Sequence, residues 1–187
     1  MTEEMRGFEK KAQIMDSQAM ARAITRISHE IIEKNKGADD LVLIGIRRRG
    51  YPLARRIAEK IRDIEGVSII PEELDVGFYR DDVEHTEDDT RDRIGAVLDG
   101  ATVVLVDDVI CTGRTVRAAI DALFSHGRPR AVQLAVLVDR GLRELPFRPD
   151  YVGKNIPTSH SERVFVSVSE IDGDDGVIIS QGKSLSQ

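Results

Sequence analysis

Two adjacent aspartates, Asp107 and Asp108, stand inside the stretch TVVLVDDVICTGRTVRAAIDAL, residues 102–123. Side-by-side carboxylates repel, and a hydrophobic core has no use for them. They follow a run that reads as a buried strand and precede a Thr-Gly-Arg-Thr turn and a helix. In an open parallel sheet, ligands bind beyond the carboxyl ends of the strands. A helix N-terminus at such a place offers unpaired N–H groups and the positive end of a dipole, a seat for phosphate. Gly113 allows close approach, and Thr112 and Thr115 carry hydroxyl donors. Carboxylates beside a phosphate seat need a different partner: ribose hydroxyls, or Mg²⁺ carried by a pyrophosphate. The ligand that fits is a sugar bearing a phosphate together with diol or pyrophosphate groups. An acidic turn that only caps a helix is the plain alternative.

Other phosphate and metal chemistries fail on spacing. The chain has no G-x-x-x-x-G-K-[ST] and no G-x-G-x-x-G. Its four histidines do not cluster with the single cysteine, Cys111, in a metal-ligand pattern. A second anion-binding candidate is GIRRRG, residues 45–50, where Arg47, Arg48 and Arg49 lie between two glycines at a strand end. Elsewhere, three successive arginines would read as a solvated charge run.

The elements that must position these groups alternate. DSQAMARAITRISHEIIEK reads as an amphipathic helix with Met20, Ala23, Ile24, Ile27 and Ile31 on one side and Asp16 or Ser17 as its cap. LVLIGI is a continuous apolar run, the pattern of a parallel strand covered on both faces. A helix over residues 51–64 follows, then shorter strands expected at VSII and LDVGFY around Pro71. TVVLV is a buried strand, the helix after it ends at Gly127, and AVQLAVLVD is a further strand. Alternating strands and helices indicate an α/β fold: a mostly parallel twisted sheet flanked by helices. At 187 residues this is one domain, 1–187, large enough to bury a core without disulfides. Residues 80–93, RDDVEHTEDDTRDR, interrupt the rhythm with a single strongly apolar residue, Val83, and read as a solvated excursion or a mobile lid.

The totals exclude some classes. The apolar runs are too short to span a bilayer, and the N-terminus has no apolar signal-peptide core, so a cytoplasmic protein without a membrane partner is expected. One cysteine excludes an internal disulfide and suits that compartment. A net charge of −6 argues against indiscriminate nucleic-acid binding but leaves room for a local basic face.

VVLVDDVICTGRT resembles the phosphoribosyl-diphosphate motif of type I phosphoribosyltransferases. The C-terminal third, with RPRAVQLAVLVDRG and RELPFRPDYVGKNIPTSHSERV, and the helix ITRISHEIIEKNKG resemble the PyrR family of bacterial pyrimidine operon regulators and uracil phosphoribosyltransferases. The resemblance runs over roughly residues 13–180. It implies the type I fold, with residues 80–93 as a flexible hood. Asp107 and Asp108 then face the ribose hydroxyls as the catalytic acids. Thr112, Gly113, Arg114 and Thr115 hold the 5′-phosphate, and Arg47, Arg48 and Arg49 take the diphosphate. Mg²⁺ rides mainly on diphosphate and ribose, near the two acids. Uracil is read at Val138, Asp139 and Arg140, where a polar turn closing a strand is the equal alternative. The implied reaction converts uracil and phosphoribosyl diphosphate to UMP and pyrophosphate in a homodimer or homotetramer.

The second implied activity is attenuation of pyrimidine genes through leader RNA, in response to UMP and UTP. The family's RNA-contacting positions match Thr25, His29, Arg143, Arg148 and Lys154. Arg22, Arg26 and His29 share one helix face, and Arg143, Arg148 and Lys154 form a second basic group. Three departures stand out: Leu142 replaces a histidine, Arg48 a small polar residue and Cys111 a tyrosine. A salvage phosphoribosyltransferase without RNA binding is the competing reading.

Overall fold

The computed structural model describes residues 7–77 and 94–182. In chain order the elements are β1 (Phe8–Met15), α1 (Ser17–Asn35), β2 (Leu41–Ile46), α2 (Gly50–Glu65), β3 (Glu72–Leu74), β4 (Thr102–Ile110), α3 (Arg114–His126), β5 (Ala131–Asp139), β6 (Tyr151–Asn155), β7 (Glu162–Ser167), α4 (Ser169–Asp172) and β8 (Gly176–Gly182). Five strands form a parallel sheet in the order β3-β2-β4-β5-β6. Three more, in the order β1-β8-β7, form a small antiparallel sheet.

The continuous apolar strands are covered on both faces, as their composition requires. Leu41 and Leu43 of β2, Val104 and Val106 of β4 and Ala135 and Leu137 of β5 pack with α1, α2 and the antiparallel sheet. Alternate residues Ile44, Ile46, Val103, Leu105, Leu134 and Val136 pack with α3. α1 starts where expected: Asp16 accepts the Ala19 N–H at 2.7 Å, and the buried face carries all five predicted apolar residues.

Three expectations are corrected. VSII, residues 67–70, forms no strand; Ile70 is 85% exposed, and pairing with β2 begins only at Glu72, after Pro71, which has no N–H to give a ladder. β4 does not stop before the acids but continues through them to Ile110, because β5 stays in register alongside (Asp107↔Val136, Ile110↔Asp139). Of the described residues of LDVGFY only the first, Leu74, is in a strand, since β3 ends there and residues 75–77 leave the sheet. The antiparallel sheet, absent from the sequence reading, joins Phe8–Met15 to residues 162–182, segments that alternate only faintly. The expected hood, 80–93, lies outside the described residues. Among the described residues no helix is long and apolar enough to cross a membrane.

Candidate active site

The chain leaves β2 through α2 to β3 on one side, whereas β4 lies on the other side of β2. The crevice beyond the carboxyl ends of β2 and β4 is therefore the topological switch point, where α/β sheets bind ligands. Both predicted anion loops open there.

Asp107 and Asp108 lie where β4 outruns its neighbour, since the β2 register ends at Gly45↔Val106. Each carboxylate is fixed by the next main-chain donor: Asp107 Oδ1 accepts the Asp108 N–H (2.9 Å) and Asp108 Oδ1 the Val109 N–H (2.8 Å). Asp107 is buried and Asp108 half-buried. Burial pushes the Asp108 carboxyl above the usual carboxylate range, against the Arg49 guanidinium and the Val109 N–H, which favour the ionised form.

Two glycines bring the 47–49 loop against these acids. A Cβ on Gly45 would lie 2.3 Å from Tyr51 Cα, and one on Gly50 2.3 Å from Val106 O. No side chain fits at either place. The Arg47–Arg48 peptide is cis. Arg47 is oriented by its N–H to Leu74 O (2.9 Å) and its guanidinium to Asp75 (2.8 Å). Arg48 is exposed. Arg49 donates through Nε and Nη2 to both oxygens of Asp172, at 3.0 Å each. Asp172 is a residue that sequence reasoning missed, because "SEIDGDDG" reads as a solvated acidic turn. Nearby, Arg56 binds Glu170, Asp175 and Ser169, so the C-terminal turn is clamped to α2.

The phosphate loop ends in the N-terminus of α3. Gly113 has φ 93°, a left-handed conformation that side chains resist, and a Cβ there would meet Phe147 at 3.2 Å. Thr112 Oγ1 accepts the Arg114 N–H (3.3 Å), leaving its own hydroxyl hydrogen to donate. Thr115 stands in the first helical turn, where N–H groups lack intrahelical acceptors. The Arg114 guanidinium lies on Glu144 at 2.9 Å. Cys111 is half-buried.

The turn after β5 adjoins this loop. Val138 is buried, Asp139 accepts from Gly141 N–H (2.9 Å) and Arg143 (2.6 Å), and Arg140 reaches Thr158, Ser159 O and Glu162 O. Their side chains are thus engaged within the protein.

Thr25 and His29 lie on α1, half-buried and exposed respectively. Arg26, between them, donates to Val152 O (3.0 Å) and Gly153 O (2.7 Å) of the edge strand β6. That contact ties α1 to β6 at the two residues before Lys154, which is exposed and lies in β6. Arg148 is exposed, whereas Arg143 is half-buried and turned inward.

The family model for the phosphoribosyl transferase domain matches residues 10–170. The bifunctional protein PyrR of Clostridioides difficile is 57% identical over 178 residues, 92% of this chain and 99% of its own. The chain belongs to the PyrR family of phosphoribosyltransferases. The PyrR protein of Acetivibrio thermocellus is 60% identical over 91% of this chain and 94% of its own. Among solved structures, the hypoxanthine phosphoribosyltransferase of Trypanosoma cruzi superposes with a TM-score of 0.72 at 19% identity, covering 93% of this chain and 98% of that one. A hypoxanthine-guanine phosphoribosyltransferase of Bacillus anthracis gives 0.70 at 17%, over 92% and 99%. At such identity these likenesses establish the type I phosphoribosyltransferase fold of this PyrR-family chain.

Proposed function

We propose that this protein transfers the phosphoribosyl group of phosphoribosyl diphosphate to uracil, releasing pyrophosphate, and regulates pyrimidine genes by binding their leader RNA in response to UMP and UTP. The observation that carries the transferase reading is the meeting of three elements at one crevice: two carboxylates, an arginine loop and an open helix N-terminus. Asp107 and Asp108 accept the ribose hydroxyls; the loop of Thr112, Gly113, Arg114 and Thr115 seats the 5′-phosphate; Arg47, Arg48 and Arg49 face the diphosphate. Uracil is read at the turn of Val138, Asp139 and Arg140, which the Arg140 N–H ties to Ile110 O at the end of β4 (3.2 Å).

The transition state carries oxocarbenium-like charge at the anomeric carbon. Oriented donors on the departing diphosphate stabilise it without reorganising. The residues also fit Mg²⁺. That ion keeps several waters and takes one or two carboxylates beside substrate phosphates, and Asp107 and Asp108 are two hard-oxygen donors at the diphosphate loop. When bound, Mg²⁺ supplies positive charge to the leaving group.

For RNA, the supporting observation is that Arg26, between Thr25 and His29 on α1, bonds the main chain of β6 at Val152 and Gly153, next in sequence to Lys154. Arg148 is the exposed member of the remaining group. The test is direct: UMP formation from uracil, phosphoribosyl diphosphate and Mg²⁺, and titration of a pyrimidine leader hairpin with and without UMP. Absence of uracil transfer overturns the first half. Transfer without RNA binding under either condition leaves a salvage enzyme.

A further inference from the structure

We propose that Arg143 is a positioning residue of the transferase site, tying the base turn after β5 to the phosphate loop after β4, and not a nucleic-acid contact. The proposal rests on the transferase reading above. A guanidinium has five N–H donors in a rigid fork. Here Nε donates to Phe147 O at 2.8 Å, Nη1 to Cys111 O at 3.0 Å and Gly141 O at 3.2 Å, and Nη2 to Asp139 Oδ2 at 2.6 Å. Four donors are spent, so a bidentate grip on a phosphate would require breaking bonds already made. The side chain is only 22% exposed and its Asp139 partner 17%.

What those four acceptors belong to gives the residue its role. Asp139 and Gly141 are in the turn proposed to read the base. Cys111 opens the loop proposed to seat the 5′-phosphate. Phe147 packs its ring against that loop at Gly113, within 3.2 Å of where a Cβ would stand. The main chain follows the same route, since Thr112 O accepts both the Glu144 and Leu145 N–H groups. Base turn, phosphate loop and the segment leading to the exposed Arg148 therefore move as one body, with Arg143 as its central tie. Lysine cannot replace it, because one ammonium cannot reach four acceptors lying in different directions.

The full-length protein would be compared with Arg143→Gln, Arg143→Lys and Arg148→Gln in three measurements: uracil-transfer kinetics, affinity for a pyrimidine leader hairpin across a salt series, and amide hydrogen exchange. Arg143→Gln and Arg143→Lys should both raise KM for uracil and for phosphoribosyl diphosphate by about tenfold or more, as loosened positioning does. The salt slope of RNA binding should stay at the wild-type value in both, since no phosphate contact is lost. Arg148→Gln should do the opposite, keeping both KM values within about twofold while lowering that slope by about one. Arg143→Lys keeps the charge and the stem, so it carries the test if Arg143→Gln does not fold. Wild-type KM values in Arg143→Lys, or a slope lowered by about one in Arg143→Gln, overturn the proposal. If the wild-type chain transfers nothing to uracil, the transferase reading fails by itself. Exchange then decides: faster exchange at 111–113 and 139–142 in either variant, at unchanged Tm, supports the tie, and equal exchange overturns it.

Discussion

Gly50→Ala measures how closely the arginine loop must approach the two acids. The added Cβ would stand 2.3 Å from Val106 O, 3.2 Å from Val106 C and 3.3 Å from Asp107 Cα. Ordinary contact begins near 3.4 Å, so about 1.1 Å of separation must be found. All three opposing atoms are main chain, and no rotamer change can supply it. Either the start of α2 lifts away from β4 or β4 retreats from β5, whose ladder resists. Forcing a methyl group into a packed interior costs roughly 1–3 kcal/mol. The larger effect should fall on chemistry, because the displaced body carries Arg47, Arg48 and Arg49 away from Asp107 and Asp108. A misplacement of about 1 Å costs on the order of 100-fold in rate, or about 2.7 kcal/mol of transition-state stabilisation. Thermal unfolding followed by circular dichroism would measure the first term. Steady-state kinetics well below Tm would measure the second. A folded Gly50→Ala protein with kcat/KM within about twofold of wild type would refute the idea that this contact sets the working distance.

The acids themselves are tested by Asp107→Asn and Asp108→Asn, each of which should keep the fold yet strongly weaken phosphoribosyl-diphosphate use; turnover within about twofold of wild type in both would displace them from the site. Acid stability should depend on the C-terminal turn. Burial opposes ionisation of Asp172 and Asp175, but the Arg49 and Arg56 hydrogen bonds outweigh it, and Arg56 likewise holds Glu170 below the carboxylate range. Lowered folded-state pKa values mean stability that is present above about pH 4 and is lost as the pH falls through them. Tm should therefore drop less steeply below that pH in Arg56→Gln than in wild type, and parallel curves would count against the clamp. Replacing Arg148 and Lys154 together should cost about 2 kcal/mol or more in affinity for a leader hairpin and flatten its salt dependence by one to two units, with uracil turnover kept; unchanged affinity at matched salt would misplace the RNA face.

Local signals announced much of this. The α1 cap and stripe, the apolar strands and the acid pair ahead of a Gly-containing turn are short-range patterns whose physics is complete within a few residues. Extension of β4 through two charges was illegible, because the ladder with β5 decides it and propensity does not. Pairing of β1 with β8 joins residues at opposite ends of the chain and leaves only a faint alternation in either. The Arg49–Asp172 pair spans 123 positions, and nothing near Asp172 distinguishes it from the acids around it. Arg143 is the instructive case. Its sequence context, a basic group in a polar segment, fits a surface contact, whereas its four acceptors are assembled only when β4 and β5 lie side by side.

The basic side chains of the crevice and of the proposed RNA face are held differently. Four around the crevice are held by carboxylates, Arg47 by Asp75, Arg49 by Asp172, Arg114 by Glu144 and Arg143 by Asp139, whereas Arg48 is exposed. A guanidinium already oriented loses little further freedom when a diphosphate arrives, and preorganisation of this kind is what transition-state stabilisation requires. Arg148, His29 and Lys154 are exposed and form no ion pair among the described residues. On the proposed RNA face, side chains so placed would displace counterions from phosphates, a gain that a resident carboxylate would cancel. The net charge of −6 therefore reflects how the acids are used. Several of them orient basic groups at the crevice.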